Sequence, residues 1–260
     1  MAPSPTHDRE SYTVGIICAL DVEKASVEAT LDEEHGGIEK MAGDDNSYSF
    51  GRISDLRLGD VVVSQLDGMH GRVVQWDFVK MEKEGVSRRT GTLNKPPQPL
   101  QNALQGLKAT HRRRGSVVHQ HLKEMMSKYP LMEEEYGSPG SKQDELFEAS
   151  YSHPSGATCA QDDKPRIHYG NIASGDEVVK DGPTKDRIAR EERVLRFEIE
   201  AAGLMDAFPC VVIRGICDYA DSHKNKRWQP YAAAKAVCYA EELLGEVDAQ
   251  GVERLGLASE

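Results

Sequence analysis

The sequence predicts an α/β fold in which a mixed β-sheet is flanked by helices. Short apolar, β-branched runs alternate with stretches of helical composition, and a buried strand that leads directly into a helix is typical of this class. The first run ends at Ala19, and the helical stretch follows at once, with Asp21 as the expected N-cap. Strands are predicted over residues 12–19, 58–64, 167–173, 194–200 and 210–216, and helices over residues 21–31, 100–135, 184–193, 201–207 and 230–247.

Composition and charge narrow the class of protein. The 260 residues include 43 acidic and 32 basic side chains, for a formal charge of −11, and 38% of the chain is hydrophobic. This hydrophobic content is typical of a folded domain, and the negative charge argues against nucleic-acid binding. The polar residues 1–11 do not resemble a secretory signal, and no apolar run is long enough to span a bilayer, so we expect no membrane partner and a cytoplasmic protein.

The cysteines and histidines indicate neither disulfides nor a metal site. The five cysteines form no C-x-x-C pair, and most lie in apolar runs, so we expect reduced core thiols. His119 and His121 are the only close histidine pair, and no further ligand motif accompanies them. The sequence therefore predicts no metal and no tightly bound cofactor.

The chain divides into three parts by composition. Residues 1–11 form a polar lead-in, residues 12–247 form one domain, and residues 248–260 form a C-terminal tail. Within the domain, a surface insertion is expected over about residues 100–165, because its second half is rich in glycine, serine and proline. The basic run at residues 112–114 is interpreted as a solvated helix end, with a phosphate patch as the weaker alternative.

Acidic residues follow four of the predicted strands. They are Asp21 with Glu23, Asp176, Glu198 with Glu200, and Asp218. In open α/β sheets the ligand lies beyond the carboxyl ends of the strands, so this placement predicts a site built from carboxylates. The alternative is that these side chains only cap helices and solvate strand ends.

Carboxylates without a metal or an activated nucleophile suit acid–base chemistry on a polar small molecule. The chain contains no dinucleotide-binding, P-loop or nucleophile-elbow motif. Cleavage of a glycosidic bond is one fitting reaction, because its oxocarbenium-like transition state is stabilised by carboxylates and its leaving group needs a proton.

Five motifs follow one another along the chain. They are Val14-Gly-Ile-Ile-Cys-Ala-Leu-Asp-Val-Glu23, Arg57-Leu-Gly-Asp-Val-Val-Val-Ser64, Ile172-Ala-Ser-Gly-Asp-Glu-Val-Val179, Phe197-Glu-Ile-Glu-Ala-Ala202 and Val211-Val-Ile-Arg-Gly-Ile-Cys-Asp-Tyr-Ala-Asp221. In this order they resemble the purine nucleoside phosphorylase and methylthioadenosine nucleosidase superfamily, in particular its fungal branch, which is often fused ahead of ankyrin, tetratricopeptide or nucleotide-switch modules. The resemblance covers about residues 12–247 and implies a three-layer, phosphorylase-type mixed sheet flanked by helices.

The resemblance implies two catalytic residues. Asp218 matches the acid that protonates or hydrogen-bonds purine N7, and Glu23 matches the carboxylate that activates water in the nucleosidases. Phosphorylases tend to place a phosphate-binding arginine near the position of Glu23. An acid there favours hydrolysis over phosphorolysis, in which phosphate would be the co-substrate.

The remaining implied site residues bind substrate. Glu200 matches the carboxylate that holds the ribose hydroxyls, Ile199 the apolar residue packed against the sugar, and Val178 and Val179 the base-pocket pair. Ser174 and Glu198, at the same strand ends, complete the predicted set. The implied partner is a small-molecule purine nucleoside, and a homo-oligomer is compatible with the resemblance.

The chain departs from the family pattern after Ser54, which runs directly into Asp55. About 45 family residues are missing there, including a central strand and its Gly-rich loop. Removing a central parallel strand should leave neighbouring strands unpaired and apolar surface uncovered.

Three hypotheses follow from these observations. The chain is an enzyme that cleaves a purine nucleoside, or a catalytically inactive, truncated relative that acts as a nucleoside-binding or interaction domain. The third is a generic α/β protein whose acidic strand ends are only caps.

Overall fold

The computed structural model describes a mixed α/β architecture, as the sequence predicted. The residues described are 16, 18, 20–30, 58–65, 72–76, 79–81, 87–89, 93, 95–140, 166–175, 182–198, 201–205, 208–217 and 226–248. The strands are β1 (Val61–Ser64), β2 (Val73–Gln75), β3 (Val79–Met81), β4 (Ser87–Arg89), β5 (Ile167–Ser174), β6 (Val194–Glu198) and β7 (Ile213–Gly215). The helices are α1 (Asp21–Thr30), α2 (Gln98–Arg114), α3 (Val118–Lys128), α4 (Glu133–Tyr136), α5 (Gly182–Glu191), α6 (Ala201–Met205) and α7 (Gln229–Gly245).

Strand β5 organises the five-stranded sheet. Along one edge, its first half pairs in parallel with β1 and its second half with β2, while β6 pairs in parallel with the other edge. The carbonyls of Gly170 and Ser174 accept hydrogen bonds from Gln65 and Trp76, so β1 and β2 follow each other on the same edge. Strand β7 is antiparallel to β1, and β3 with β4 forms a separate two-stranded sheet.

Helix α7 packs across the sheet and carries much of the core. Its buried Tyr239 and Leu243 lie in the largest apolar cluster, together with residues of β1, α2 and α3. None of the described helices combines the length and the apolar character needed to cross a membrane.

The segment that links α2 to α3 is held to α7 by Glu242. One carboxylate oxygen of Glu242 lies 2.9 Å from Nε2 of His111 and accepts a hydrogen bond from the Val117 N–H at 2.9 Å. The other oxygen accepts a hydrogen bond from the Ser116 hydroxyl at 3.0 Å. Because α3 begins at Val118, this acid binds one of the free N–H groups at the start of that helix.

The structure corrects the expected surface insertion for residues 100–136. Leu104 and Leu107 of α2, and Leu122 and Met125 of α3, are buried in the main core. Their three-residue spacing places them on one face of each helix, while polar residues occupy the other. The basic run at residues 112–114 is exposed in the last turn of α2, as the solvated-end interpretation predicted.

Several predicted element boundaries also shift. Helix α1 begins at Asp21, so Asp21 is its first residue and not its N-cap. Helix α2 begins at Gln98, two residues before its predicted start, because the N–H groups of a first turn have no intrahelical acceptor and a proline is tolerated there. Strand β7 is shorter than predicted and begins at Ile213. Most of the predicted strand over residues 12–19, the lead-in and the tail beyond residue 248 lie outside the described residues.

Replacing Gly215 by alanine should lower the free energy of unfolding by about 2 kcal/mol or more. A Cβ atom at Gly215 would lie 1.9 Å from the carbonyl oxygen of Ala232 on α7, and overpacking of this kind typically costs about 1–3 kcal/mol. Urea unfolding measures the change. Gly203→Ala is the matched control, because no described atom lies within 4 Å of that position. Equal stability of Gly215→Ala and wild type would contradict the packing of α7 on β7.

Candidate functional site

A cavity of about 250 Å³ lies between α1, α6, β7 and α7. Most of its wall is apolar, and α7 contributes a row of small side chains, Ala233, Ala236 and Ala240. The charged side chains that line it are Glu23, Glu198 and Arg214. An apolar cavity with a few polar groups is the usual form of a small-molecule site.

Glu23 faces the cavity from the first turn of α1. Its Oε2 atom accepts a hydrogen bond from the Leu20 N–H at 3.2 Å, the arrangement by which a glutamate in the first turn satisfies a free donor at a helix start. Its Oε1 atom lies 3.8 Å from Nη1 of Arg214, in the middle of β7. The side chains of Glu23 and Arg214 are 25% and 12% exposed, so the ion pair is only partly solvated.

Glu198 and Ser174 hold the start of α6. The Ala201 N–H donates to Oε2 of Glu198 at 2.9 Å, and the Ala202 N–H donates to Oγ of Ser174 at 2.8 Å. Glu198 and Ser174 are both buried, and Glu198 also lines the cavity. The capping alternative is therefore correct for the contacts that these two side chains make, and a substrate-binding role for them stays a prediction.

Glu23 and Glu198 both line this cavity, and their roles in a site stay a prediction. Five other predicted site residues lie outside the described residues: Asp218, Glu200, Ile199, Val178 and Val179. Cys217, which directly precedes Asp218 in the chain, lines the cavity.

Arg214 is the charged cavity residue that the sequence analysis missed. Its signal was present, because a single charged residue inside the apolar run of residues 210–216 must have a partner when it is removed from water. The small α7 residues that line the cavity gave no such signal. An alanine-rich sequence predicts a helix but does not indicate that the helix lines a cavity.

The thiols at the cavity are poor nucleophiles. Burial, reinforced by the nearby Glu23 and Glu28 carboxylates, raises the pKa of Cys18 to about 11. Burial, together with Glu198, also raises the pKa of Cys210. Because the thiolate is the reactive form, a raised pKa disfavours covalent catalysis by either cysteine. The four cysteines that the structure describes are free thiols.

Within the described ranges, no group of three or more histidine, cysteine or acidic side chains is arranged to hold a metal ion. His121, one of the close histidine pair, instead lies 3.0 Å from Glu241 through its Nδ1 atom.

The described residues form a mixed α/β fold with a partly enclosed cavity, whose mostly apolar wall carries three charged side chains. No family model matches the chain. A nucleotide-binding leucine-rich repeat (NLR)-like protein of Hyaloscypha variabilis is 35% identical over 307 residues, covering 96% of this chain. Its name fits a branch fused to nucleotide-switch modules.

Among solved structures, the chain resembles futalosine hydrolase of Helicobacter pylori, at 17% identity and a TM-score of 0.43 over 77% of this chain. It also resembles the 5'-methylthioadenosine/S-adenosylhomocysteine nucleosidase of Neisseria meningitidis, solved with methylthio-immucillin-A, at 17% identity and a TM-score of 0.42 over 75% of this chain. At these identities and TM-scores, the structural likeness gives no evidence on activity. The activity is inferred from the chain's own residues.

The lengths of these relatives differ from that of the chain. The chain spans 31% of the NLR-like protein, 66% of the futalosine hydrolase and 64% of the Neisseria nucleosidase. The aligned stretch of 307 residues is longer than the 260-residue chain, so the NLR-like protein carries residues that have no counterpart here.

Alkylation of Cys18 by iodoacetamide should be slow at pH 8, because its pKa is raised to about 11. The rate should increase about tenfold per pH unit until the pH reaches the pKa, since the thiolate fraction does so. Mass spectrometry of the Cys18 peptide measures the rate, with the urea-unfolded chain as the control. Equal rates in the folded and unfolded chain at pH 8 would contradict the burial of this thiol.

Proposed function

We propose that this chain binds a purine nucleoside in the cavity and cleaves its N-glycosidic bond by hydrolysis. The observation that carries the proposal is the Glu23–Arg214 pair, a carboxylate and a guanidinium that face one cavity between β7 and α1. The five motifs in family order support the choice of a nucleoside as the substrate.

In the proposed reaction, the Glu23 carboxylate takes a proton from water, and the water oxygen forms a bond to C1′ of the ribose. The C1′–N9 bond breaks, its electron pair leaves with the purine, and Asp218 supplies a proton to N7. Glu200 holds the ribose hydroxyls, and Glu198 and Ser174, whose side chains also bind the start of α6, complete the substrate-binding set. Ile199 packs on the sugar, and Val178 and Val179 on the base.

The ion pair favours water over phosphate as the attacking group. Arg214 alone would attract an anion, but Glu23 lies 3.8 Å from it and offsets its charge. A phosphate at Arg214 would have to displace this carboxylate or lie beside it, and like charges repel in a partly buried site. Phosphate therefore remains a co-substrate only in the phosphorolysis alternative, and no other cofactor is required.

Glu23→Gln should reduce purine release by about two to four orders of magnitude, the usual contribution of a general base. The amide oxygen can still accept the Leu20 hydrogen bond, but Arg214 loses the negative charge beside it, so urea unfolding is measured alongside the rate. Chromatography of adenine or guanine released from adenosine, guanosine and 5'-methylthioadenosine, without phosphate, measures the effect.

The matched control for Glu23→Gln is Glu28→Gln on the same helix, where the acid pairs with Lys24 at 3.3 Å on the exposed face. It should keep the wild-type rate. A folded Glu23→Gln variant with the wild-type rate would rule out Glu23 as the base. Release by wild type only when phosphate is added would replace hydrolysis by phosphorolysis.

Asp218→Asn should also reduce the release rate, by about 100-fold or more, because the departing purine loses its proton donor. Asp221→Asn, in the same motif, is the control and should leave the rate unchanged. The same chromatography checks both variants, and loss of activity in the control alone would reverse the assignment of the acid.

A second candidate function is binding without turnover. The capping bonds of Glu198 and Ser174 favour it, because they give these side chains a structural reason to be present without catalysis. In that case, calorimetry would detect a nucleoside bound by a folded protein that releases no base.

A further inference from the structure

The link between α2 and α3 carries a basic run that the proposed function does not use. Residues 112–114 are the arginines that end α2, and Ser116 follows two positions after the last of them. In the whole sequence, Ser116 is the only serine or threonine with arginines both two and three positions before it. This pattern suits a protein kinase with an acidic substrate groove, because guanidinium groups form strong, charge-assisted hydrogen bonds with carboxylates.

The link lies at the surface of the protein. All three arginines are exposed, and the side chain of Val117 is 41% exposed. Gly115 has a φ of +81°, and no described atom lies within 4 Å of the position that a Cβ would take there. The buried residues of α2 end at Leu107, so its last turn can open at little cost in apolar burial. The serine and the arginines before it are therefore accessible as an extended segment.

The Ser116 hydroxyl joins α7 to the start of α3. It donates to Oε2 of Glu242 at 3.0 Å and accepts from the Val118 N–H at 3.2 Å. The other oxygen of Glu242 accepts from the Val117 N–H at 2.9 Å, and the Glu242 side chain is only 9% exposed. The hydroxyl thus lies between a nearly buried carboxylate and an N–H group that has no intrahelical acceptor.

We propose that Ser116 is a phosphorylation site, modified by a protein kinase that recognises arginine before the target serine. In the transfer, a bond forms between Oγ of Ser116 and the γ-phosphorus of ATP, while the bond from that phosphorus to the departing ADP oxygen breaks. The hydroxyl proton passes to a carboxylate of the kinase. The modification does not depend on the proposed hydrolysis in the cavity.

The phosphate displaces Glu242 from the start of α3. The modified oxygen has no proton to donate to Glu242, and the phosphate brings a charge of about −1.5 to −2 beside this carboxylate. Like charges repel strongly where little water screens them. The phosphate can still accept the Val118 N–H, since an anion is favoured at a helix N-terminus. Val117 then loses its acceptor, whereas Val118 keeps one.

Incubation of the whole chain with ATP and the catalytic subunit of cyclic-AMP-dependent protein kinase tests the site. Mass spectrometry of proteolytic peptides should find Ser116 phosphorylated in most molecules. A synthetic peptide of residues 109–121 shows whether the sequence itself is recognised. If the peptide is modified and the folded chain is not, the fold hides the serine and the proposal is overturned. Failure of both to react would overturn it as well.

Variants of the basic run test how the serine is recognised. Arg113→Ala combined with Arg114→Ala should lower the rate at Ser116 by about tenfold or more, because two charge-assisted contacts are lost. Arg112→Ala is the matched control, since it removes the same charge outside the recognised pair, and should keep the rate. Ser127, an exposed serine of α3 without preceding arginines, should stay unmodified. Equal rates at the two serines, or no loss in the double variant, would contradict this recognition.

Amide hydrogen exchange, resolved by residue, tests the displacement of Glu242. After phosphorylation, exchange at Val117 should become faster by about tenfold or more, whereas exchange at Val118 should not. Unchanged protection at Val117 would overturn the displacement. Equal loss of protection at both residues would overturn the binding of the phosphate to the start of α3.

Glu242→Gln is the matched variant for the exchange experiment. Its amide oxygen can still accept the Val117 N–H, and its amide N–H can donate to the phosphate, so the repulsion is removed. Phosphorylation of this variant should leave Val117 protected. If Val117 exchanges as fast in the phosphorylated variant as in the phosphorylated wild type, charge repulsion is not the cause and the displacement mechanism is overturned.

Discussion

The close approach of α7 to β7 is the contact on which the other features depend. At Gly215 no side chain fits between the strand and the Ala232 carbonyl. The same helix buries Tyr239 and Leu243 in the main core and holds the α2–α3 link through Glu242. Its alanine row forms a wall of the cavity. A shift of α7 would therefore alter the core, the helix link and the cavity together.

The elements that sequence patterns predicted are those with a strong local cause. Strand β1 is a run of valines, and α7 is rich in alanine, so each follows from its own residues. The ends of β7 and the role of α2 could not be predicted in this way. Strand β7 extends only over the residues that pair with β1. The face that α2 buries depends on where α7 lies. Both are properties of the packed chain.

The candidate site could also be predicted only in part, because a local pattern indicates one of its charged residues and the fold alone brings the other to it. The acid that follows the first apolar run drew attention to Glu23, because strand ends converge in α/β folds. The arginine that faces it, 191 positions later in the motif that holds Asp218, could be joined to it only by the fold. The paired charges leave this end of the cavity close to neutral, which suits an uncharged ligand such as a nucleoside better than an anion.

Glu23 both faces the cavity and accepts the Leu20 N–H at the start of α1. A ligand that draws this carboxylate toward itself competes with the backbone for the same oxygen atoms. Ligand occupancy and the order of the first helical turn are then thermodynamically linked, and each changes the free energy of the other. A local measure of helix fraying at residues 20–23 would thus report occupancy of the cavity even in a chain that catalyses nothing.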